Sequence, residues 1–276
     1  MWFQTLIMQH IMGRQQGAVE IKGKVGGLQF GKNSDGSPGV KRARYYSRAK
    51  MKKGDNYART RDNNNEFTGS ARAAQQLRQA LGDRVYQYGD NQLQARLMQL
   101  TYGVLQRGPG TGGKRTYEVQ PNLLHFVKLE YNEDEKLGAR FNAPYTVTAN
   151  TDRNTATLDV PSFNPAVRLG KPSGATDFRL VLVAGTISDI SYTGNVDVYA
   201  ADHPEMAGLS ALAESAVLPI DTVTSALQLV AVIPGSPVLP AGTALLVSLG
   251  IEFYRTINND SQLLASGNAM KVVAAY

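Results

Sequence analysis

Three histidines, His10, His125 and His203, are the side chains best suited to bind a metal or move a proton near neutral pH. They are scattered, without the i, i+3 or i, i+4 spacing that sets two imidazoles on one helix face. They read as surface or hydrogen-bonded histidines. The run Asn132–Glu135, within YNEDEK, has the charge to attract Ca²⁺. It lacks the alternating ligands and distal Glu of an EF-hand loop, so a solvated turn is expected. The segment RGPGTGGKR, 107–115, contains GTGGK. A phosphate loop needs four residues between its first Gly and its GK, then Ser or Thr, set between a strand and a helix. Here Arg115 follows the Lys, and the segment reads as a Gly-rich linker. No G-x-S-x-G or H-E-x-x-H motif occurs. The absence of cysteine excludes disulfides, Cys-based zinc sites and thiol catalysis. No catalytic, cofactor-binding or metal-binding set is therefore expected, and the chain reads as a non-enzyme.

The remaining chemistry is electrostatic. Residues 1–61 carry 13 Lys/Arg against 3 Asp/Glu, whereas 62–276 carry 16 against 20. A basic segment on a mildly acidic body can bind nucleic acid, a lipid surface or the acidic body of a neighbouring copy. The densest part is KRARYYSRAKMKK, 41–53. Its Lys41, Arg42, Arg44, Arg48, Lys50, Lys52 and Lys53 can neutralise phosphates, and Tyr45 and Tyr46 can stack on bases. The competing reading pairs these charges with an acidic protein surface. No nucleic-acid-binding fold signature accompanies them.

The elements that hold these residues follow from composition and periodicity. Residues 1–62 read as an extended basic arm in which recurrent glycines disfavour helix. VEIKGKV and LQFGK can form a short strand pair ahead of a turn at NSDGSPG. Single apolar residues, Val19, Ile21, Val25, Leu28 and Phe30, are spaced as pegs for a surface elsewhere. Residues 63–107 read as a helical hairpin turning around Gly82–Gly89. One helix spans 66–81 with Ala74, Leu77 and Leu81 on one face, and the other spans 90–106 with Leu93, Leu97, Leu100 and Val104. Residues 108–116 are the linker. Residues 117–276 alternate with period two over several runs, are rich in β-branched residues and contain no long helical pattern. TVTAN and TATLDV read as a hairpin around Thr151–Asn154. The expected fold is mainly β with a small α part, ending in an antiparallel β-sandwich, Ig-like or jelly-roll-like.

The opening MWFQTLIMQHIM is apolar but short. It lacks the basic start and small-residue cleavage site of a signal peptide, and it cannot span a bilayer. MGRQQG from Met12 is the more natural beginning of a soluble chain. No run approaches the ~18 apolar residues of a membrane helix. Localisation beyond cytoplasmic synthesis is left open.

From Met12 onward the chain resembles a family of Bacteroidota proteins. GRQQGAVEIKGKVGGLQFGKNSDG is similar to that family's MxRQKG-like leader followed by K-G-x-I/V-G-x-x-x-F and K-x-x-D-G. ARTRDNNNEFTGSARAAQQLRQAL is similar to its R-T-R-E-N-x-x-E-F block and small-residue helix. PSGATDFRLV and LLVSLGIEFYRTINND resemble its β-domain blocks. The chain departs at Gly31, where an aromatic is commoner, and at SPGVKRARYYSRAKMKKGD, which replaces a shorter, less basic linker. The resemblance implies a shared plan of arm, helices and β-domain, and it transfers no site residue. An arm too small to fold alone, joined to a compact sandwich, suits assembly on a neighbouring subunit. A self-assembling homo-oligomer building a filament, tube or shell, phage-like or cellular, is the leading expectation. Nucleic-acid binding by the Tyr-containing basic stretch is the alternative. A carbohydrate-binding adhesin ranks lower, because the β-region has no Trp.

Overall fold

The computed structural model describes residues 13–14, 21–43, 54–194, 198–258 and 260–276. The chain divides into two compact units, Met1–Ala58 and Arg59–Tyr276. The fold is mainly β, and all strand pairs within its sheets are antiparallel.

The first unit contains β1 (Gly13–Arg14), β2 (Gly23–Val25), β3 (Leu28–Lys32) and β4 (Pro38–Arg42), ordered β1-β4-β3-β2. Gly26 and Gly27, at φ of 54° and 81°, form the two-residue turn between β2 and β3. Positive φ at both central positions matches the right-handed twist of the flanking strands, which is why Gly-Gly works there. Asp35 closes the next turn, its Oδ1 accepting from the Ser37 amide at 2.9 Å and the Ser37 hydroxyl at 2.6 Å. The expected strand pair is thus present, but the described part of the arm is a folded meander rather than an extended chain. Pro38 opens β4, where a missing N–H is tolerated at a strand start.

The second unit holds all but the first residue of α1 (Ala58–Ala80), then α2 (Arg84–Tyr88) and α3 (Leu93–Arg107). The helix expected from 66 starts at Ala58, and a short extra helix fills the expected turn. The Asn63–Asn65 run has low helix propensity, yet Asp62 and Glu66 at this end pack against the 108–116 segment. Tertiary contact overrides intrinsic preference here. The C-terminal end of α1 lies directly on the sheet, because a Cβ on Gly185 would overlap the Ala80 carbonyl. Gln76 also fastens the helix, donating from Nε2 to the Ser188 carbonyl at 2.7 Å. Thr101 joins the two long helices by donating to the Ser70 carbonyl at 3.1 Å.

The β-region contains β5 (Thr146–Ala149), β6 (Thr155–Val160), β7 (Asp177–Ser188), β8 (Ile190–Tyr192), β9 (Tyr199–Ala201), β10 (Ser210–Glu214), β11 (Leu218–Pro219), β12 (Leu227–Val232), β13 (Thr243–Ile257), β14 (Asp260–Leu263) and β15 (Ala269–Ala275). A six-stranded sheet follows the path β10-β7-β13-β14, with β11 on β7 and β15 on β13. A three-stranded sheet is ordered β12-β6-β5, and β8 pairs with β9. Strands β5 and β6 form the hairpin expected around Thr151–Asn154.

Two apolar cores flank the large sheet. Val181, Val183, Ile187, Ala244 and Leu246 pack with Leu77, Leu97 and Val104 of the helices. Leu180, Leu182, Leu245, Val247 and Phe253 pack with Leu158, Leu229 and Ala231 of the small sheet. The sandwich is therefore present, with a helical layer over the outer face of its larger sheet. This arrangement corrects the sequence-based division at 63–107, 108–116 and 117–276. The helices, the linker and the sheets belong to one unit, because β7 and β13 are apolar on both faces and each face must be covered.

Candidate assembly surface

Residues directly opposite across antiparallel strands share a face. In the first unit Phe30 opposes Val40, Leu28 opposes Arg42 and Lys32 opposes Pro38. Val25 in turn opposes Leu28. One face is therefore apolar at its centre, with Val25, Leu28, Phe30 and Val40, and basic at its ends, with Lys32 and Arg42. The other face places Lys24, Gln29, Gly31, Gly39 and Lys41 together. Within the apolar row Val25 is 58% exposed and Leu28 44%, while Phe30 and Val40 are half-buried. Among the described residues of this unit, no second sheet or helix lies over this face.

Of the candidate contact residues, Val25, Leu28 and Phe30 are brought onto this one face. Ile21 is exposed just before β2, and Val19 lies outside the described residues. Of the basic stretch, Lys41 and Arg42 are exposed and project to opposite faces of β4. Arg44, Tyr45, Tyr46, Arg48, Lys50, Lys52 and Lys53 lie outside the described residues. Val40 and Pro38 complete the apolar face, and sequence reasoning missed both. The signal was the two-residue spacing of Pro38, Val40 and Arg42 in a segment that also reads as a turn and a basic linker.

The other chemical candidates resolve into structural roles. Gly108, Gly110 and Gly113 fit the G-x-G-x-x-G spacing of a dinucleotide loop, but that motif works between a strand and a helix. This segment instead leaves the C-terminal end of α3 and is held on a carboxylate. The Glu66 Oε1 accepts from the Gly113 amide at 3.0 Å and from Arg115 Nη1 at 2.7 Å. An anionic side chain already occupies the Gly113 amide, where a phosphate would be repelled. The YNEDEK turn is tied down by Lys136–Glu133 and Arg140–Glu135 ion pairs at 3.0 and 2.6 Å. His203 lies 3.5 Å from Glu205. Among the described residues no group of three or more His, Asp or Glu side chains is placed to hold a metal ion. His10 lies outside the described residues.

One cluster escapes sequence reasoning altogether. Glu252 on β13 is fully buried and sits directly opposite Arg179 on β7. Its Oε2 accepts from Arg179 Nη2 and the Tyr254 hydroxyl, each at 2.6 Å, and its Oε1 accepts from the Tyr88 hydroxyl. Arg84 lies 3.3 Å from the same carboxylate. Both arginines also reach Glu214 on β10, Arg179 at 3.1 Å. Burial pushes the Glu252 carboxyl up. The hydrogen bonds from Tyr254, Tyr88 and Arg179 outweigh burial and hold it below the ordinary carboxylate range. Burial and the Glu252 carboxylate both push the Tyr88 hydroxyl well above the ordinary tyrosine range. Two cations and two carboxylates thus balance, and each is committed to a neighbour. The cluster clamps α2 onto the large sheet. Its only sequence signal is a Glu inside the apolar run LLVSLGIEFY.

No protein-family description, curated protein or solved structure matches the chain. The geometry of these surfaces therefore carries the functional reading unaided.

Proposed function

We propose that the protein is a self-assembling structural subunit, in which the amphipathic meander of one copy docks on a neighbouring copy to build a filament, tube or shell. The observation that carries this reading is the one-layer sheet with exposed Val25 and Leu28 beside half-buried Phe30 and Val40. Fully burying such side chains contributes about 1.5–3 kcal/mol each, and about half of that remains to be gained where a residue is half covered. Four residues then give roughly 3–6 kcal/mol. Losing translational and rotational freedom costs about 4–15 kcal/mol. One contact is therefore weak, and assembly through it depends on concentration and on repetition along a polymer.

Light scattering across a concentration series tests this on the full chain and on Val25→Lys/Leu28→Lys. Both positions are exposed, so the substitutions leave folding of the unit intact. The expected result is concentration-dependent growth that the double variant abolishes. Identical monomeric behaviour of both chains would contradict it. A second reading rests on Lys24 and Lys41 sharing the opposite face. If that face and the following basic stretch bind nucleic acid, nucleic acid copurifies and binding falls steeply with salt.

A further inference from the structure

We infer that the acceptor for the meander is the outer face of the β12-β6-β5 sheet of a second copy. This inference rests on the assembly reading above and names its missing half.

Along β6 the inner residues Ala156, Leu158 and Val160 are buried, so Thr155, Thr157 and Asp159 point outward. Along β12 the buried Leu229 and Ala231 leave Val230 and Val232 facing out, 45% and 46% exposed. Val230 stands opposite Thr157, Val232 opposite Thr155, and Thr148 of β5 opposite Thr157 on its other side. The result is a row of β-branched side chains across three strands. Solvent faces of sheets ordinarily carry mixed polar and charged residues. Here the only charge among these outward-facing positions is Asp159, which also accepts from Gln228 at 2.7 Å.

Other exposed large apolar residues, such as Leu124, Val167 and Tyr86, stand singly on short helices. Val230 and Val232 form a pair two residues apart on one strand, within a continuous sheet face.

Three features match this face to the meander. Both are three strands wide where their longer strands pair and about five residues long. With strands ~4.8 Å apart rising ~3.4 Å per residue, each presents a patch of roughly 14 by 17 Å. Both are uncharged at the centre. The meander carries Lys32 and Arg42 at its ends, and the acceptor carries Asp159 near one end, so the charges are complementary. Sheets packed face to face sit about 10 Å apart and interdigitate side chains of this kind. Patches of this size fall well below the ~800 Å² per partner of a stable complex, so the contact is transient unless repeated. Because the donor and acceptor patches differ, the contact is heterologous. Such contacts form rings or open polymers when they propagate from copy to copy, and a closed dimer when two copies exchange meanders reciprocally.

The chain has no cysteine, so introduced thiols report alone. Full-length chains bearing Leu28→Cys and Val230→Cys, on different mass tags, are mixed and treated with a short bis-maleimide. Val167→Cys serves as an exposed control. The expected result is a crosslinked L28C–V230C pair at least tenfold above the L28C–V167C pair, with Val230→Lys/Val232→Lys raising the assembly concentration at least tenfold. If the chain assembles, V25K/L28K blocks it, but V230C does not crosslink and V230K/V232K assembles normally, this acceptor is wrong and the assembly reading stands. If V25K/L28K assembles like the parent, both fail. Crosslinking only within single chains carrying both cysteines, independent of concentration, also overturns docking on a second copy.

Discussion

Replacing Glu252 by Gln keeps the shape of the side chain and removes its charge. Arg179 then loses a fully buried carboxylate partner to which it donates at 2.8 Å from Nε and 2.6 Å from Nη2. Breaking a buried ion pair by removing one partner costs about 3–5 kcal/mol, because the remaining charge is left uncompensated. Arg179 keeps Glu214 at 3.1 Å and is itself partly exposed, so the lower end, about 3 kcal/mol, applies. For a unit of this length about 1 kcal/mol shifts the melting temperature by roughly 2–4 °C. E252Q should melt about 6–12 °C below the parent and shift its urea midpoint without changing the denaturant slope. Arg179→Met should couple to it. In that background E252Q should cost at least 1 kcal/mol less, as residues of one network do. A loss below about 2 °C, or strict additivity of the two substitutions, would refute the reasoning that this cluster clamps α2 to the sheet.

Three further outcomes follow from other contacts. Gly185→Ala should destabilise by about 1–3 kcal/mol, since its Cβ would overlap the Ala80 carbonyl and push α1 off the sheet; urea unfolding reads this. Glu66→Ala should free the 108–116 segment, making cleavage near Lys114–Arg115 by trypsin several-fold faster at neutral pH. The pH dependence has two limbs. Burial lifts the Tyr199 hydroxyl to about 12, and Tyr88, Tyr117, Tyr131 and Tyr254 also lie above the ordinary value of ~10. Stability held by these protonated tyrosines is complete below pH ~10 and is lost above it, so melting temperature should fall steeply between about pH 10 and 12. The depressed Glu252 carboxyl works the other way. Its contribution is present above the ordinary Glu range and is lost as pH falls through its folded value, and E252Q should flatten that acid limb.

The parts of the fold governed by local pattern were legible in the sequence. The 146–160 hairpin follows from alternation around a polar turn, and the long helices follow from stripes such as Leu93, Leu97 and Val104. What sets layers beside one another was not. Strands β7 and β13 are apolar at nearly every position, and such a run does not say that helices cover one face and a second sheet the other. The start of α1 was hidden behind an Asn run stabilised by a segment about 50 residues later. The charge cluster could not be seen because its partners lie far apart along the chain, Arg179 and Tyr88 being 73 and 164 residues from Glu252. On the proposed assembly surface, Val25, Leu28 and Phe30 were legible as spaced apolar residues. Val40 was not, because its place beside Phe30 depends on the register set through the Asn33–Ser37 turn.

The central claim is that the amphipathic meander mediates self-association. Sedimentation velocity over a hundredfold concentration range, on the full chain beside one starting at Gly54, tests it most directly. The account predicts growing species for the full chain, seen as filaments, tubes or shells by negative-stain microscopy, and a folded monomer at every concentration for the shortened one. Identical sedimentation of the two chains, whether both remain monomers or both assemble, would contradict it.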